Sequence, residues 1–411
     1  MYNPRLLFVK TVSNYFLMNR TTNEKKPFGL CLLSYTLFIV LVVTLTPFNF
    51  HFSKDFPISW NVTQIDIITN IILFIPPGFM YIFLWGNEIN SYCLKALFCG
   101  LMLSTFIEFL QLFLSGRCTS ITDVMANGSG AWMGAFVCER LKLRMEKYSA
   151  EISLLEVPLV TIVYLLLPLL WINSLTIWEF TNSLWLSLML GIIIVIIFSA
   201  IYSFRLKPTG RIKSLTLSVL TGMFFSVASY HKFTTSPVFT SVVAVSLSIS
   251  FLLLSYYWKT VDKNNRRFEI PVLKMILPAY LFYMISQTIL PLYPFTVKWA
   301  FGIGFSTNST LSILQSAKHI GAFTILGYIL AEIRGRGKKL PLWRSVLKLS
   351  SICLLFAVGF ELILSFHPYY KGSMIQIVLY ASGFIYGLII YRLQLAYIFN
   401  VRKRYSVDSY Q

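Results

Sequence analysis

The chain has 411 residues, of which 56% are hydrophobic and only 12% charged, with a formal net charge of +19. That balance excludes an ordinary soluble domain, and the recurring apolar runs of about 20 residues suit the ~30 Å hydrocarbon core of a bilayer. A transmembrane β-barrel would instead alternate polar and apolar residues in short segments, so the expected fold class is an all-α polytopic membrane protein.

Residues 1–27 form a basic segment expected in the cytoplasm. The first apolar run, Phe28–Pro47, has no small-residue cleavage site after it, so it reads as a retained first span. Eleven further spans are expected at about 67–85, 94–115, 122–139, 153–175, 182–204, 212–230, 237–258, 270–290, 312–333, 345–366 and 373–392, followed by a cytoplasmic tail over 393–411. With both termini inside, 29 of the 35 lysines and arginines fall on the inner side. Only Lys54, Arg117, Lys232, Lys298, Lys318 and Lys371 remain outside. The asymmetry satisfies the positive-inside rule and predicts a multi-pass plasma-membrane protein. The basic excess is then topology and contact with anionic lipid, and nucleic acid is not an expected partner.

Two stretches repeat each other. At an offset of 249, Asn70, Phe74 and Gly78 meet His319, Phe323 and Gly327. At an offset of 253, Glu108, Gly130 and Gly134 meet Glu361, Gly383 and Gly387. Two parallel four-helix units, 28–140 and 270–392, are therefore expected to flank a four-helix middle block, 153–258, in which no catalytic constellation is visible.

The polar signal concentrates in Ile107–Gly134. Ionisable residues in a span cost about 2.5–3.5 kcal/mol each on insertion scales, so they mark functional sites by default. Glu108 and Gln111, three apart, share a helix face. Asp123, Asn127, Gly130 and Gly134 line one face of the next span, and the Gly-x-x-x-Gly spacing permits close helix approach. Arg117 lies in the turn between them, where its fork suits a carboxylate or phosphate. Glu108, Gln111, Arg117, Asp123 and Asn127 are the expected ligand-binding cluster at the outer surface; the competing reading is an ion-pair and amide network that only locks the hairpin.

Secondary candidates are Asn70, Lys318, His319 and Glu361. In the second unit Gln111, Asp123 and Asn127 are replaced by Leu364, Gln376 and Tyr380, so most of the network is lost there. Pro76, Pro77 and Gly78 predict a kink in the second span, because proline removes helix hydrogen bonds that neighbours must replace in lipid. Cysteines at 31, 93, 99, 118, 138 and 353 show neither metal spacing nor a disulfide framework. No metal or cofactor is expected.

At these residues the chain resembles the VanZ-like family of bacterial membrane proteins. NIILFIPPGF is similar to that family's Asn-led second-span motif, and Glu108, Gln111, Arg117, Asp123, Asn127, Gly130 and Gly134 follow its E-x-x-Q, R, D, N, G, G order. The resemblance covers about 28–140 strongly, and KHIGAFTILGY within 270–392 resembles a degenerate second copy. It implies a small helical bundle without a settled reaction and a phenotype of lowered susceptibility to the lipoglycopeptide teicoplanin.

The expected function is an envelope protein recognising a polar headgroup, either a lipid-linked wall precursor or a lipoglycopeptide, and supporting tolerance to antibiotic or envelope stress. The alternative is a secondary transporter or lipid flippase, since internal repeats are a transporter architecture. An enzyme using Glu108 or Asp123 as acid or base is the third reading; the sequence offers no nucleophile–base pair, HExxH or metal set in its favour.

Overall fold

The structure, a computed structural model, describes residues 26–46, 48–51, 64–86, 92–114, 119–147, 150–176, 180–205, 215–222, 237–260, 269–289, 301–302, 309–335, 342–366 and 372–408. Among the described residues, a helix falls within each expected span. They are α1 (Lys26–Leu45), α2 (Gln64–Trp85), α3 (Tyr92–Gln111), α4 (Ile121–Lys147), α5 (Ala150–Thr176) and α6 (Phe180–Arg205). After a described stretch α7 (215–222) come α8 (Pro237–Thr260), α9 (Glu269–Ile289), α10 (Ser309–Gly335), α11 (Leu342–Ser365) and α12 (Met374–Asp408). The last helix continues through most of the segment expected as a tail.

Among the described residues, seven helices are long and apolar enough to cross a membrane: α1, α2, α3, α8, α9, α10 and α12. Shorter apolar stretches lie in α5, α6 and α11. The fourth expected span, α4, is not one of the seven. Its Asp123, Asn127, Ser129 and three glycines dilute its apolarity, and most of these polar and small groups turn toward α2 and α3.

The tightest packing joins α2 to α4 and α10 to α12, with α3 against α4 and α11 against α12. Glycine explains the close approach. A β-carbon at Gly130 or Gly134 would collide with the Ile71 or Ile75 carbonyl of α2, and one at Gly78 with Ala131 of α4. The same relation recurs between Gly383 and Ile320, Gly387 and Thr324, and Gly327 and Phe384.

Gly78 serves the α2–α4 seam, and α2 stays helical through Pro76 and Pro77. Tyr164 of α5 reaches toward the Pro76 carbonyl at 3.5 Å, the kind of neighbouring group that lets a span carry proline. An apolar cavity of about 60 Å³ lies beside this point, bordered by Thr36, Ile72, Pro76 and Pro168.

The largest core is not confined to one expected block. It joins Leu32, Tyr35 and Ile39 of α1 to Leu165 and Leu169 of α5, Ile193 of α6, Tyr280 of α9, Phe323 of α10 and Phe384 of α12. Helix α5 inserts against α10 and α12, and α6 packs on α9. At the start of α1, Phe28 stacks on Tyr397 near the far end of α12, and Tyr386 donates to the Cys31 carbonyl at 2.6 Å. These contacts make α1 and α12 antiparallel. The α3–α4 and α11–α12 turns consequently lie at the same end of the bundle, the end that the charge asymmetry predicts to face outward.

Candidate functional site

A buried glutamate meets the residue that precedes α4 and, likewise, the one that precedes α12. Glu108, 5% exposed, accepts the Ser120 backbone N–H at 3.0 Å. Ser120 immediately precedes α4, so the carboxylate holds one of the amides that a helix start leaves unpaired, where the helix dipole favours negative charge. Glu361, fully buried, accepts the Ser373 N–H at 2.6 Å through one oxygen and the Tyr380 hydroxyl at 2.9 Å through the other.

The remaining polar residues of the first unit divide among three seams. On the α2–α4 seam, Asn70 Nδ2 donates to Asp123 Oδ1 at 2.8 Å. On the α3–α4 seam, Asn127 Nδ2 donates to Ser104 Oγ at 2.8 Å, and its own carbonyl oxygen has no hydrogen-bond partner among the described residues. On the α1–α3 seam, Gln111 Nε2 donates to the Thr44 carbonyl at 2.9 Å. Glu108, Gln111 and Asn127 are buried, whereas Asn70 and Asp123 are half-buried.

The structure thus brings Asp123 to Asn70, a pairing not anticipated, and assigns Gln111 to holding α1. Arg117 lies outside the described residues. The partners Thr44, Ser104 and Ser120 escaped sequence reading because single hydroxyls and backbone groups in apolar runs give no pattern. Next to these groups the chain turns at Phe48, whose φ is +59°, and His51 N–H bonds the Phe113 carbonyl at 2.8 Å. In the other end unit the short strand Phe301–Gly302 pairs with Gly372–Ser373 in parallel.

Of the secondary candidates, Lys318 and His319 are both 6% exposed on α10. The His319 ring meets Phe360 and Tyr380 edge-on, with centroids 5.6 and 5.2 Å away. Gln376 Nε2 donates to Ser316 Oγ at 2.9 Å.

A further polar group, missed in the sequence, sits toward the opposite end. Glu332 of α10 is fully buried and takes Gln394 Nε2 at 3.4 Å, while Gln394 Oε1 accepts from both Tyr328 and Thr161. Glu269, at the start of α9, is also fully buried. Both glutamates stand beside basic runs in the sequence, which reads as an interfacial face and hid their burial. Among the described residues no group of three or more His, Cys, Asp or Glu could hold a metal.

Seven helices long and apolar enough to cross a membrane, with buried carboxylates and amides between them, define an all-α membrane protein. The family model described as VanZ/LLP1 matches residues 5–143, so the stretch that ends within α4 is similar to that family. No curated protein and no solved structure matches the chain.

Proposed function

We propose that this protein recognises a polar headgroup at the α2–α3–α4 end of its VanZ-like region and contributes to envelope or antibiotic tolerance. The observation that carries the reading is the half-buried Asn70–Asp123 pair, with the unsatisfied Asn127 carbonyl one turn further along α4. A buried acceptor without a donor costs about 1–3 kcal/mol, which a ligand hydroxyl or amide would relieve. Arg117, in the adjoining turn, would supply a fork for an anionic group. The ligand class is a lipid-linked wall precursor or a lipoglycopeptide such as teicoplanin, and membrane lipids are the surrounding partners.

The test is teicoplanin susceptibility of a sensitive Gram-positive host expressing the chain, beside Arg117→Ala and Asp123→Asn at matched membrane levels. Tolerance that disappears in both variants is the expected result. A well-expressed wild type without tolerance refutes the phenotype.

We also infer that α1–α4 and α9–α12 are copies of one unit. Supporting this, the pairs Glu108–Ser120 and Glu361–Ser373 are separated by one offset, and the three glycine contacts of the α2–α4 seam recur at α10–α12. The transporter reading keeps one observation in its favour: buried ionisable groups occupy both ends of α10, with Lys318 and His319 near one and Glu332 near the other. Proton-coupled uptake into vesicles, abolished by Glu332→Gln, would move that reading to the front.

A further inference from the structure

The two end units share the glutamate–amide bond and the glycine contacts, but not the polar pairing of the α2–α4 seam. Asn70 and Asp123 share a direct 2.8 Å hydrogen bond. No such bond joins their counterparts, His319 and Gln376. Among the described residues His319 Nδ1 and Gln376 Oε1 are each left without a partner, although both side chains are more than nine-tenths buried.

The two groups border one seam. Gln376 holds Ser316, which lies one turn before His319 on α10. His319 packs against Tyr380, which lies one turn after Gln376 on α12. Two unsatisfied buried groups facing one seam are rare in a native protein and call for a missing partner.

The charge of that partner follows from the neighbours. Lys318, beside His319 in the chain and equally buried, has no hydrogen bond or ion pair among the described residues. An ammonium in hydrocarbon calls for a counter-charge. Glu361 is the acid of this region, and its two oxygens already accept the Ser373 N–H and the Tyr380 hydroxyl. Gln376 is in the first turn of α12, where the helix dipole favours an anion, although the Ser373 and Ile375 amides there are already held by Glu361 and the Ser373 hydroxyl. The Ser316 hydroxyl both donates and accepts, so the Gln376 amide can turn and offer its NH₂ to a ligand without losing Ser316.

We propose that the seam between α10 and α12, at Lys318, His319 and Gln376, is a second ligand site that takes the phosphate of an anionic amphiphile. The imidazole and amide would hold the phosphate oxygens and the ammonium would balance the charge. The site does not depend on the Asn70–Asp123 cluster. Its phosphate chemistry is shared by a lipid headgroup and by free phosphate.

The test uses the full-length purified protein in detergent, titrated with phosphatidylglycerol, phosphatidylcholine or inorganic phosphate, reading lipid retention by native mass spectrometry and the shift of the unfolding temperature. Wild type should retain phosphatidylglycerol in preference to phosphatidylcholine. Lys318→Met and His319→Phe should each weaken that retention by about tenfold or more, as expected for a lost charge-assisted hydrogen bond. Lys318→Arg should keep it, and Asp123→Asn should leave it unchanged. Competition by inorganic phosphate would identify the phosphate group alone as sufficient, and its failure would assign the site to the lipid.

Unfolding without lipid reports whether each variant is folded, and Gln376→Leu carries the test if Lys318→Met is not. Equal retention of both lipids by wild type, or undiminished phosphatidylglycerol binding in the folded variants, overturns the proposal.

Discussion

Glu108 and Glu361 each hold the amide of the residue just before the helix that follows them, and that task constrains what else they can do. Replacing Glu361 with Leu strands the Ser373 N–H and the Tyr380 hydroxyl in a buried site. The expected loss is about 3 kcal/mol, at roughly 1–3 kcal/mol per stranded group, read as a shift in unfolding midpoint in mixed detergent–SDS micelles. Tyr380→Phe should cost less, about 1–2 kcal/mol, because the carboxylate keeps Ser373. Glu108→Gln retains an acceptor for Ser120, so it should stay folded while removing a negative charge beside the Arg117 turn. Unchanged stability with lost tolerance would then separate recognition from scaffolding. The residue types of this site were legible in the sequence, since acids and amides stand out in apolar runs. Their partners were not, because Ser104, Ser120 and the Thr44 carbonyl meet them only across helix seams.

At the scale of the helix, α2–α4 and α10–α12 owe their close approach to glycine. Gly387→Ala would press a β-carbon into the Thr324 carbonyl, and Gly134→Ala into that of Ile75. Backbone oxygens cannot move aside as a flexible side chain can, so both variants should unfold at lower SDS fraction than wild type, by about 1–3 kcal/mol for an overpacked contact. Gly359→Ala on α11 is the contrasting case, because nothing lies within 4 Å of the added carbon. There the better helix propensity should stabilise by about 0.5–1 kcal/mol, or at least cost nothing. The Gly130–Gly134 spacing announced one such seam in advance. Gly78 did not announce itself, since its two preceding prolines suggested a kink while its neighbour across the seam, Ala131, carries no signal.

On the scale of the whole molecule, the first and last described helices are tied together. Tyr386 of α12 donates to the Cys31 carbonyl of α1 and lies 2.7 Å from the Ser34 hydroxyl. Tyr386→Phe should destabilise by about 1–2 kcal/mol through those lost bonds, measured by the same unfolding titration. The antiparallel pairing of α1 and α12 also brings the starts of α4 and α12 to one end of the bundle, which the charge asymmetry predicts to face outward. Single cysteines replacing Arg117 and Lys371 in a background lacking the other cysteines should both react with an impermeant maleimide added to intact cells. Labelling of only one would break the parallel arrangement of the end units.

The amino-acid sequence by itself determined that the chain is helical and apolar enough for a membrane, because apolar runs of membrane length leave the backbone no option but internal hydrogen bonding. It also determined the VanZ-like character of the N-terminal region, through polar residues in fixed order. Only the tertiary structure decided which polar groups meet. It paired Asn70 with Asp123, withheld the corresponding pairing from His319 and Gln376, and buried Glu332 with Gln394. It also packed α5 against α10 and α12, contacts that the order of the apolar runs does not reveal. The physical reason is that hydrophobic periodicity reports the surroundings of a helix averaged over its length. The partner of one buried polar atom depends on the rotation and register of a neighbouring helix, and those are set by packing across the whole bundle.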